Sequence, residues 1–148
     1  MKSPEALNDL IEINNDRVTG YEKAAAQADD SDLKSIFNSY AADSKKLASE
    51  LRQLVEREGS HPAEGTTFRG KIYRTWMDVK ATFGGDNRHG ILASCEFGED
   101  AAQRAYKTAL EDKDLNAEER ALLEKQKEIL RGAHDRIKTM RDSEPTKK

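Results

Sequence analysis

Glu99 occupies a position where a carboxylate needs an explanation. Between Gly90 and Leu110, the residues Leu92, Cys95, Glu99, Ala102, Tyr106 and Ala109 recur at the i, i+3, i+4, i+7 spacing of a core-facing helical stripe. Glu99 is therefore expected to point inward. A carboxylate inside a helical bundle must be met by a metal ion, a proton or a hydrogen-bond network, because burying a bare charge is costly. Asn14 and Tyr21 are seven residues apart and share one side of a helix, and Glu99 and Tyr106 repeat that spacing. Tyr40 and Ser44 extend the set, as do Gln126 and His134. Asn14, Tyr21, Glu99, Tyr106, Gln126 and His134 are accordingly expected to form a polar layer in which hydroxyl, amide and imidazole groups satisfy Glu99 without a metal. On this reading Glu99→Gln is tolerated.

The competing chemistry is metal-based. A di-iron carboxylate centre in a bundle takes a Glu from each of two helices and a Glu-x-x-His from each of the other two. Asp43-x-x-Lys46 has no histidine, and Arg131 precedes His134 by three residues, so neither motif exists. No cofactor is expected. Counting about 100° per residue sends Glu12 and Asp16 toward solvent and leaves Glu22 and Glu96 at the edges of their stripes. A metal-dependent oxidoreductase or metal-storage protein would have to use an atypical set of Glu99, His134, Glu96 and Glu22. His61 and His89 are expected to face solvent. There is no Gly-rich phosphate loop, nucleophile elbow or paired-cysteine motif. The single cysteine, Cys95, reads as a buried spacer, which suits a reducing, cytoplasmic setting.

These side chains must be carried by long helices. The three prolines, Pro4, Pro62 and Pro145, leave two long stretches uninterrupted. Apolar periodicity and capping signals predict helices over about 4–28, 31–58, 87–113 and 117–141, a shorter helix over 68–83, and a frayed tail at 143–148. Gly59 and Pro62 stop the second helix, and Asn116-Ala-Glu-Glu119 resembles a capping box. The first and last turns are short and imply antiparallel hairpins. The link between the hairpins is far longer and contains the 68–83 helix, as needed when the second and third long helices run parallel. Tyr21-Glu-Lys-Ala24 and Tyr106-Lys-Thr-Ala109 form a weak internal repeat consistent with two related hairpins. The expected fold is all-α, a ferritin-like four-helix bundle with an additional short helix in the crossover, as one domain over residues 1–148.

Composition fits this architecture and narrows the partners. Charged residues make up 36% and aromatics 6%, which favours solvated helices with a narrow apolar seam over a sheet sandwich. The net charge of −3 is spread over interspersed signs and recommends no nucleic-acid partner. No apolar run is long enough for a membrane span, and Met1-Lys2-Ser3-Pro4 leads into a charged amphipathic helix rather than a signal peptide. Trp76 and Phe83 are expected to seal the crossover helix onto the bundle. An oligomeric scaffold is a further reading, since that extra helix offers a second apolar strip to a neighbouring copy.

Four segments carry a family resemblance: LNDLIEINNDRVTGYEKAA, GKIYRTWMDVK, GILASCEFGEDAAQRAYKTAL and EKQKEILRGAHDRIKTMRD. Together, from Leu7 to about Asp142, they resemble a bacterial family of ferritin-like four-helix-bundle proteins whose function is unassigned. The combination of GED-x5-Y with W-x-D-x-K carries the likeness. The chain departs from that pattern at Tyr73, where the family commonly has His, and at Arg17, where it often has Gly. The resemblance implies the fold but no reaction. It supports a cytoplasmic binding or assembly protein without turnover of its own, and the company of this fold places such proteins in stress physiology.

Overall fold

The computed structural model describes residues 3–65 and 88–143 and contains no strand among them. Four helices follow in order: α1 (Ser3–Gln27), α2 (Ser31–Arg57), α3 (Arg88–Leu110) and α4 (Ala117–Ser143). The helix expected over 68–83, with Tyr73, Trp76 and Phe83, and the tail beyond Ser143 lie outside the described residues.

Local chemistry accounts for the helix ends. Pro4 lies in the first turn of α1, where its missing N–H would have no helical partner in any case. Asp30 precedes α2 in an extended conformation, and Lys34 donates to the Ala25 carbonyl at 2.9 Å, tying the hairpin shut. Gly59 adopts φ +77°, the left-handed conformation that closes a helix without a Cβ penalty. With it, the Ser60 N–H returns to the Val55 carbonyl at 3.2 Å. The capping box forms reciprocally: Asn116 N–H donates to Glu119 Oε1 at 2.9 Å, and Glu119 N–H donates to Asn116 Oδ1 at 2.7 Å. α3 stops at Leu110, short of the expected boundary at 113. The Arg120 guanidinium captures the Leu110 and Asp112 carbonyls at 2.6 and 3.0 Å, replacing the hydrogen bonds that another helical turn would supply.

Contacts between the helices establish their directions. Tyr21 packs on Phe37, while Asn14, earlier on α1, meets Ser44, later on α2, so α1 and α2 are antiparallel. Asn14 meets Tyr106 and Tyr21 meets Glu99, so α1 and α3 are antiparallel as well. Two helices antiparallel to a third are parallel to one another, which makes α2 and α3 parallel. α4 opposes both, pairing Arg57 with Glu118 at one end of α2 and Glu96 with Arg141 at the opposite end of the bundle. The link after α2 begins to climb alongside α1: Asn8 donates to the His61 carbonyl at 3.0 Å and accepts from Ala63 N–H, and Asn15 donates to the Gly65 carbonyl at 2.7 Å. The four described helices thus have the single-crossover, ferritin-like topology.

The apolar interior divides into two clusters. One gathers Leu7, Leu10, Ile11, Leu47, Leu51, Val55, Ala102, Leu123 and Leu130; the other gathers Tyr21, Ala25, Leu33, Phe37, Ala41, Ile91, Leu92, Cys95 and Ile137. Buried polar residues lie between the two clusters: Asn14 and Arg17 on α1, Ser44 on α2 and Glu99 on α3. That boundary positions the site.

Candidate functional site

The centre of the bundle is an ion pair. Glu99 Oε2 lies 2.5 Å from Arg17 Nη2, and both residues have side-chain exposures of 1% or less. Tyr21 donates its hydroxyl proton to the same carboxylate oxygen. Arg17 also lies over the Tyr21 ring, 5.2 Å from its centroid, and the ring packs against Phe37 and Tyr40 at 5.6 and 5.4 Å. Burial by itself would lower the Arg17 pKa, but the adjacent Glu99 carboxylate reverses that effect and holds the guanidinium charged. Burial raises the Tyr21 pKa well above its ordinary value, and the Glu99 charge pushes it further.

From Arg17 a hydrogen-bond chain crosses all four helices. The guanidinium donates to Ser44 Oγ, and Ser44 donates to Asn14 Oδ1 at 3.0 Å. Asn14 Nδ2 donates to the Tyr106 hydroxyl at 2.9 Å, and Tyr106 donates to Gln126 Oε1 at 2.7 Å. Gln126 Nε2 then donates to the Leu47 carbonyl at 3.2 Å and to Glu50 Oε1 at 3.0 Å. Every donor points the same way, from the buried cation toward a carboxylate at the edge of the bundle. Burial raises the Tyr106 pKa strongly, so its hydroxyl keeps the proton that this direction requires. The arrangement is suited to holding a fixed register of helices.

Of the residues expected in the polar layer, Asn14, Tyr21, Glu99, Tyr106 and Gln126 converge, all fully buried. His134 does not. It lies at the α3–α4 edge with 20% of its side chain exposed, Nε2 at 2.6 Å from Asp100 and Nδ1 at 3.0 Å from Asp135. Ala133 fills the inward position instead, one helical step away. Burial would lower the His134 pKa, but the hydrogen bonds to Asp135 and Asp100 raise it overall. Asp16, expected in solvent, is fully buried, because α1 is covered on more than the single face its stripe suggests. Glu22 is exposed and pairs with Lys45 at 3.1 Å, apart from Glu99. Cys95 is buried, His61 is exposed, and His89 is half-buried rather than fully in solvent.

Arg17 is the central residue that spacing counts overlooked. It is three residues after Asn14 and four before Tyr21, hence on their face, and an arginine is almost never fully buried unless paired. The expected neutral satisfaction of Glu99 is accordingly replaced by a charged one. This also decides the fit of a di-iron group at the bundle centre. A guanidinium already sits against the inward carboxylate, and amide, hydroxyl and phenol groups fill the remaining positions among the described residues. That donor set does not suit two metal ions.

An all-α single-crossover bundle of this kind has the ferritin-like fold. The chain belongs to the family described as a domain of unknown function (DUF2383), whose model matches residues 3–112. Among solved structures it is similar to a mutant Dps1 of Mycobacterium smegmatis, with 15% sequence identity and a TM-score of 0.79 over 94% of each chain. At that identity the likeness speaks for the fold alone. No curated protein matches the chain. No helix among the described residues is long and apolar enough to cross a membrane.

Proposed function

We propose that this chain is a non-catalytic binding or assembly protein of the cytoplasm, acting as a homo-oligomeric scaffold in stress physiology. The observation that carries the reading is the Arg17–Glu99 pair at 2.5 Å, which gives the one inward carboxylate of α3 a cation built into the chain. An interior carboxylate balanced by a guanidinium needs no metal to neutralise it. The directional chain from Arg17 to Glu50 supports a structural role, since it uses one residue's donor to satisfy the next residue's acceptor across all four helices. Oligomerisation draws support from the fold likeness to Dps1. The cytoplasmic setting draws support from the lone, buried cysteine.

Sedimentation of the purified protein, together with Fe2+ oxidation under air, tests the reading. The expected result is a discrete assembly of identical copies that oxidises Fe2+ no faster than buffer. About two irons retained per chain, lost on Glu99→Ala, would overturn it in favour of an oxidoreductase or iron store.

A further inference from the structure

The geometry points to a divalent transition-metal site at the α3–α4 edge, formed by Glu96, Asp100 and His134 and separate from the bundle centre. Each of these three residues brings one ligand atom to within 4.8 Å of the other two. Glu96 and Asp100 are one helical turn apart on α3, and His134 reaches them from antiparallel α4, so the site is closed by packing of two helices rather than by a single run of acids. Two ligands on one tetrahedral zinc are about 3.4 Å apart, given metal–ligand bonds of about 2.1 Å. Side-chain rotation of little more than an ångström would bring the trio to that spacing.

One further contact favours a metal over a plain ion pair. His134 Nδ1 is engaged by Asp135 at 3.0 Å, which turns Nε2 toward Asp100 at 2.6 Å. A carboxylate on the far nitrogen is how metal-bound imidazoles are commonly oriented and made more basic. Glu96 Oε1 is held by Arg141 Nη1 at 2.6 Å, so a cation already resides beside the trio and a metal would compete with it. One imidazole with two carboxylates is a borderline donor set that suits Zn2+ and its first-row neighbours better than Mg2+. Partial exposure of all three residues leaves room for a water as fourth ligand.

The test is calorimetric titration of the chelator-treated, full-length protein with ZnCl2 at neutral pH. One saturable zinc per chain is expected, with binding weakened about tenfold or more in His134→Gln and in Asp100→Asn. Glu118→Gln, at an exposed ion pair elsewhere, should bind as wild type does. Arg141→Ala should bind zinc more tightly, because it removes the resident competitor for Glu96. Helical circular dichroism of each variant verifies that it folds, and Glu96→Gln gives a third, independent ligand variant. Absence of saturable binding would overturn the proposal. So would binding that is undiminished in both His134→Gln and Asp100→Asn, since it would assign the zinc to other residues.

Discussion

The Arg17 guanidinium and the Glu99 carboxylate meet at 2.5 Å in the interior, linking α1 to α3 at the level where the two apolar clusters divide. The contact makes Glu99→Gln disruptive, reversing the expectation of tolerance, because it strands a buried cation instead of preserving a neutral network. Glu99→Gln and Arg17→Met should each lose about 3–5 kcal/mol in urea melts. Arg17 Nε and Glu99 Oε1 have no hydrogen-bond partner among the described residues, so the pair is incompletely satisfied. The double variant Arg17→Met, Glu99→Leu should therefore recover to within about 2 kcal/mol of the parent, as apolar replacements of buried ion pairs commonly do. Additive losses in the double variant would show that the two residues are not coupled.

Tyr21 and Tyr106 should make the protein sensitive to alkali. Both are buried with pKa values raised above the ordinary phenol, so the folded state keeps protons that the unfolded state loses above about pH 10. Their stabilising contribution is complete below that pH and declines as pH rises toward the folded-state values. Each tyrosine adds a slope of about −1.4 kcal/mol per pH unit in that window. Tyr106→Phe should remove one such increment from the pH dependence of urea midpoints. At neutral pH the same variant should cost about 1–3 kcal/mol, because Asn14 loses an acceptor and Gln126 a donor. An unchanged alkaline slope in Tyr106→Phe would contradict the burial of its hydroxyl.

Two glycines should respond oppositely to alanine. A Cβ at either Gly59 or Gly132 meets no atom within 4 Å, so space does not distinguish them. Backbone conformation does: Gly59 has φ +77°, while Gly132 lies inside α4. Gly59→Ala should destabilise by about 1–2 kcal/mol, and Gly132→Ala should stabilise by up to about 1 kcal/mol. Thermal melts of the two variants give the signs directly.

Helix identity and helix ends were legible in the chain because they depend on neighbours in sequence. Apolar spacing located the four described helices, and Asn116 and Glu119 announced their own reciprocal cap. The inward placement of Asn14, Tyr21, Glu99, Tyr106 and Gln126 also follows from periodicity, since one face of a helix is a matter of counting. Three features needed the tertiary structure. Asp16 is buried because α1 is enclosed on a second side, which its own stripe does not report. His134 meets Asp100 instead of Glu99 because the relative rotation of α3 and α4 places Ala133 inward and leaves the imidazole at the edge. Arg17 shares a face with Asn14 and Tyr21, but only the register of α1 against α3 brings it to Glu99 and turns an apparent neutral network into an ion pair. Periodicity fixes a direction around one axis, whereas the choice of partner depends on the translation and rotation of two helices, which the packing of the whole interior sets.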